Sequence, residues 1–169
     1  QPLSSVIPNL GKLGNVALDM SRDRTAVVLD SATRNSTFIL ARAKDGLFGK
    51  VDLLSRSNTF ELPASLIRLS PNGRRVFAGG NYQSWIREFG GGGKRVSLRP
   101  NSLAEAFLVR DACWSIDGGR LWGVAVTGER RGGTRSKEGI FCWDAKTGEV
   151  LRRVDHPAAL EAIEVDPRG

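Results

Sequence analysis

The chain reads as an all-β protein assembled from repeats of one four-stranded antiparallel unit, and three observations predict this. Residues 18–28, 67–77 and 112–122 each run from an apolar stretch through a polar turn into a second apolar stretch. Taking Ser21, Ser70, Ser115 and Asp166 as equivalent, the copies are spaced by 49, 45 and 51 residues, which is the length of a propeller blade of four strands and not of a helical solenoid repeat. No segment carries a convincing 3.6-residue apolar period; residues 102–108 come nearest and are expected to form a loop with one helical turn. The predicted architecture is a partial β-propeller within a single domain spanning 1–169. Its blades lie at roughly 16–60, 61–106 and 107–158, and residues 159–169 begin a fourth.

Each unit repeats the same order of signals. In the first, a strand over 37–42 is followed by the turn Ala43-Lys44-Asp45-Gly46. In the second, Ser70-Pro71-Asn72-Gly73 makes the first turn, and a strand over 85–89 leads through glycines 90–93 into a strand over 94–98. The third unit has strands near 111–115, 120–127, 139–143 and 149–154, with Ala145-Lys146-Thr147-Gly148 as the last hairpin. The fourth copy, Ile163-Glu164-Val165-Asp166-Pro167, stops at its turn. A closed ring needs more blades than these, so others complete it from the same or another chain.

Composition narrows the functional classes. The chain has 169 residues, 40% of them hydrophobic and 25% charged, ordinary values for a globular domain. No apolar run reaches the length of a membrane span, and no signal pattern opens the chain, so a soluble intracellular protein is expected. The net charge is +7, carried by 19 arginines and six lysines. Residues 67–169 hold 17 basic against 12 acidic residues. Arginine's planar fork suits phosphates and carboxylates, which makes an acidic partner such as nucleic acid an expectation; charged, solvated strand edges are the plainer one.

Catalytic and metal chemistry find little to work with. His156 is the sole histidine, and Cys113, Cys142 and His156 lack metal-ligand spacing, so no metal or cofactor is expected. The two cysteines fall on strands separated by a third, which disfavours a disulfide. The run Gly90-Gly91-Gly92-Gly93-Lys94-Arg95 fails as a phosphate-binding loop, because arginine stands where serine or threonine is needed and no helix follows. No nucleophile elbow or acid–base pair occurs, so the chain is expected not to be an enzyme.

The candidate binding residues are basic and lie on loops. The insertion at 128–138 places Arg130, Arg131, Arg135 and Lys137 on a glycine-containing rim loop, where propellers carry function. Lys94, Arg95 and Arg110 sit in turns or connections of neighbouring units. If these segments share a face, they form a patch able to follow a phosphate backbone; otherwise they are solvated surface.

The turn Ser-x-(Asn/Asp)-Gly, together with Ile140-Phe141-Cys142-Trp143-Asp144 and Thr147-Gly148-Glu149, resembles the WD-repeat propellers. That resemblance implies that Trp143 packs between blades and that Asp144 caps its hairpin. In the other blades, Ala41-Arg42 and Phe89-Gly90 are expected where Trp-Asp would stand. His156 after Asp155 is similar to the Gly-His that opens WD repeats. Read in order, Ser5-Val6-Ile7-Pro8, Ile86-Arg87-Glu88-Phe89, Ala112-Cys113-Trp114-Ser115 and Ala159-Leu160-Glu161-Ala162-Ile163 are similar to the later blades of the retinoblastoma-binding, Swd-type WD-repeat subunit of COMPASS histone methyltransferase complexes. The resemblance implies a non-catalytic nuclear scaffold with protein partners, no small-molecule substrate and no membrane. It further implies contact between nucleosomal DNA and Lys94, Arg95, Arg110, Arg130, Arg131 and Arg135. The alternative is a WD-repeat adaptor of another assembly, ribosomal, nuclear-pore or cytoskeletal, and then cytoplasmic in some cases.

Overall fold

A computed structural model describes residues 16–20, 26–31, 37–44, 47–56, 66–80, 83–88, 95–98, 105–129 and 137–166. These form twelve strands and, among the described residues, no helix. The first sheet contains β1 (Val16–Met20), β2 (Ala26–Ser31), β3 (Thr37–Lys44) and β4 (Leu47–Arg56). The second contains β5 (Leu66–Leu69), β6 (Arg75–Gly80), β7 (Gln83–Glu88) and β8 (Arg95–Ser97). The third contains β9 (Glu105–Trp114), β10 (Arg120–Glu129), β11 (Lys137–Asp144) and β12 (Val150–His156). Each is an antiparallel meander in sequence order. The first strands stand next to one another, β1 against β5 and β5 against β9, as the innermost strands of successive propeller blades do. The chain is a partial β-propeller.

The recurring serine turn explains why the blades look alike. Ser70 Oγ accepts from Arg75 N–H at 2.8 Å and donates to Asn72 Oδ1; Ser115 Oγ accepts from Arg120 N–H at 2.9 Å and donates to Asp117 Oδ1. The hydroxyl thus satisfies a backbone donor that the tight turn would otherwise leave unpaired. Gly73 and Gly118 close these turns at φ of 63° and 68°, a left-handed region that glycine enters without a Cβ clash.

Burial follows the pleat. One face of the third sheet offers Val109, Trp114, Leu121, Phe141 and Trp143, which join Leu66, Phe77, Ile86 and Leu98 of the second sheet in one core. Trp143 is fully buried, stacked on Phe141 with ring centroids 5.4 Å apart. A Cβ at position 123 would fall 2.9 Å from Trp143 Cζ3, so Gly123 makes room for the indole. Cys113 and Cys142 lie opposite Trp122 from either side of β10.

The structure corrects two expectations. Residues 105–108 belong to β9: Leu108 and Phe107 pair with Val126 and Thr127, so the sheet ladder overrides a local helical preference. In the second blade the pairing Arg75↔Glu88 matches Arg120↔Asp144. It therefore places Arg87-Glu88, and not Phe89-Gly90, where the third blade has Trp143-Asp144. Residues 159–166 follow β12 with no ladder pairing of their own.

Candidate functional site

The hairpin after β11 shows how the third blade's motif works. Asp144 Oδ1 accepts from the N–H groups of Lys146 at 2.7 Å and Thr147 at 2.9 Å. These bonds, that of Thr147 first, hold its carboxyl below the usual carboxylate range, because they favour the charged form. The same hairpin touches the neighbouring blade through Gly148, at φ 74°, beside Val96 and Ser97. Trp143 thus packs in a core shared by two sheets, and Asp144 holds the hairpin that touches the neighbouring blade.

That contact also fixes which rim the basic segments occupy. The turn at Gly118 faces Ser70 and Asn72, Arg75 Nη1 donates to Gly118 O at 3.3 Å, and Ala145 N–H donates to Gly119 O. All these turns, and the start of β8 at Arg95, therefore share one rim. From there β10 runs ten residues to Glu129, roughly 30 Å at about 3.3 Å per residue. The connection 130–136 leaves from that far end. Arg95 and the residues that bound the arginine loop, Glu129 and Lys137, lie at opposite rims.

Lys94, Arg130, Arg131 and Arg135 lie outside the described residues. Arg95 is half-buried, its guanidinium 5.3 Å from the Trp85 ring centroid, a cation–π arrangement. Arg110 is exposed and sits at a β-bulge, since Val124 pairs with Asp111 and Ala125 with Val109. Its Nη2 lies 3.1 Å from Glu138 Oε1. This brings Arg110 to the rim that carries Lys137 and both anchors of the arginine loop. On that rim a cavity of about 540 Å³ is lined by Lys137, Glu138, Asp155, His156 and Pro157 to Ala159. His156 is exposed there, its Nδ1 3.2 Å from Ala158 N.

Sequence reasoning missed several arginines that bind protein. Arg68 spans two blades: Nη2 meets Asp111 Oδ1 at 2.7 Å and Nε donates to Ala112 O at 2.9 Å, while Trp114 Nε1 donates back to Arg68 O. Arg153 lies 5.1 Å over Phe141 and pairs with Asp155 at 2.6 Å. The available signal was Arg110-Asp111, two consecutive charges inside an otherwise apolar strand, which marks a bulge. Part of the arginine excess therefore serves blade packing.

Chemistry of other kinds has few groups to use. Burial, then the Asp111 carboxylate, push the Cys113 thiol up to about 11, and burial raises Cys142; both are neutral thiols near pH 7 and poor nucleophiles. Among the described residues no group of three or more histidine, cysteine or acidic side chains could hold a metal. No helix among them is long and apolar enough to cross a membrane.

No protein-family model matches the chain, and no curated protein matches it in sequence. Solved structures match its fold. The β-propeller domain of Cps50 (Swd1) from Myceliophteria thermophila aligns with a TM-score of 0.56 at 17% identity, covering 86% of this chain and 43% of that one. Porphyromonas gingivalis dipeptidyl peptidase 4 aligns at 0.54 and 14% identity over 85% and 26%. Kuenenia stuttgartiensis hydrazine synthase aligns at 0.51 and 14% identity over 81% and 36%. The chain spans less than half the length of each, and what it shares with them is the propeller fold.

Proposed function

We propose that this chain is part of a non-catalytic propeller scaffold, the Swd-type WD-repeat subunit of a COMPASS-type histone methyltransferase complex in the nucleus. The observation that carries the reading is the order of unlike blades along the sequence, which follows that subunit. Its fold is in keeping with the reading, since the chain aligns over most of its length with the Swd1 propeller. The blades hold partner subunits, and Lys94, Arg95, Arg110, Arg130, Arg131 and Arg135 lie against nucleosomal DNA. Arginine's planar fork suits phosphate oxygens, and backbone contacts of this kind need no base readout. The rival reading is an adaptor of another assembly, in which the same loops meet RNA or acidic protein.

Replacing Arg130, Arg131 and Arg135 by alanine in the assembled complex tests the DNA contact. Nucleosome and DNA binding should weaken about equally across sequences, and the salt slope should flatten by roughly one unit per lost phosphate contact. Unchanged affinity and slope would return the loop to solvated surface.

A further inference from the structure

Two carboxylates of the third blade divide their oxygens in the same way. Asp111 gives Oδ1 to Arg68 at 2.7 Å and Oδ2 to the N–H of Ile163 at 3.0 Å. Glu138 gives Oε1 to Arg110 at 3.1 Å and Oε2 to the N–H of Leu160 at 2.7 Å. The bulge in β9 inserts Arg110 as an extra residue, and a bulge turns successive side chains toward one side of the sheet. Asp111 thus reaches Ile163 directly, while its sequence neighbour Arg110 reaches Glu138, the carboxylate that holds Leu160.

We infer that Asp111 and Glu138 form a seat for a peptide backbone, one that recognises two N–H groups three residues apart and is occupied by residues 159–166 of this chain. The segment has no ladder of its own, so these two charge-assisted bonds do what ladder pairing does elsewhere. Leu160, Ile163 and Val165 are half-buried, whereas Glu161, Ala162, Glu164 and Asp166 are exposed. The same device appears two interfaces earlier, where the Asp19 carboxylate of β1 accepts from the N–H of Leu69 in β5. Residues 159–166 therefore stand to the third blade as β5 stands to the first sheet, in the place of an innermost strand. Arg68 is a positioning residue. Held by Ala112 O and Ile67 O, it fixes one Asp111 oxygen and so aims the other at Ile163, which couples the second blade to the seated segment.

Backbone amide exchange in the whole chain tests this. Asp111→Ala should speed exchange at Ile163 by about tenfold or more, the effect of losing one charge-assisted bond, and Glu138→Ala should do the same at Leu160. Arg68→Met should speed Ile163 and leave Leu160 unchanged, which a general loosening would not do. The amides of Cys142 and Trp143 in β11 report that the blade remains folded. If Asp111→Ala does not fold, Glu138→Ala, made at the rim, carries the test. The seat is refuted if the Ile163 and Leu160 amides of the native chain exchange like those of an unstructured peptide. It is equally refuted if Glu138→Ala leaves Leu160 unaffected, or a folded Asp111→Ala chain leaves Ile163 so.

Discussion

Replacing Trp143 with alanine is expected to cost about 3–5 kcal/mol of unfolding free energy, the range for a large aromatic removed from a packed core. The indole has no exposed surface. It stacks on Phe141 and lies 6.3 Å from Phe107, within a cluster whose members come from two sheets. Gly123 cannot fill the space left behind, and Phe77 and Ile86 are anchored in β6 and β7, so the cavity would stay largely open. Denaturant unfolding followed by far-ultraviolet circular dichroism measures the loss. A change under about 1 kcal/mol would mean that the site collapses freely or that the core does not depend on it.

Gly148→Ala is expected to destabilise by about 2–4 kcal/mol, from two causes that act together. The residue sits at φ 74°, where a side chain strains its own backbone. A Cβ there would also overlap Ser97 O and stand 2.9 Å from Val96 Cγ1 in the adjacent blade. The first cause acts within the hairpin and the second wedges two sheets apart. Gly128→Ala is the control, because nothing lies within 4 Å of a Cβ at that position. If the two substitutions prove equally mild in the same unfolding assay, the close approach of the blades is wrong.

The blade pattern was legible in the sequence because its signals are local. The serine turns, the glycines that follow them and the Trp143-Asp144 hairpin each act over a few residues, so they could be read without knowing what packs where. The misread positions depended on pairing. The count that put Phe89-Gly90 where Trp-Asp would stand could not know which residue of β7 faces Arg75, which only the register of β6 on β7 reveals. The start of β9 at Glu105 depends on the far end of β10, residues 126–129, to which it pairs. The arginines were harder still. Composition gave their excess, but the split between Arg68 or Arg153, spent on protein partners, and exposed Arg110 depends on a bulge and on contacts between blades. Charge alone therefore could not say which arginines remain to meet a phosphate.

The functional reading stands on whether this propeller assembles with a methyltransferase. Affinity purification of the native protein that carries this chain, under low salt and with nuclease treatment to remove bridging nucleic acid, followed by mass spectrometry, tests that most directly. The account predicts a SET-domain methyltransferase and its core subunits in near-stoichiometric amounts. Recovery of ribosomal, nuclear-pore or cytoskeletal proteins in their place would contradict it.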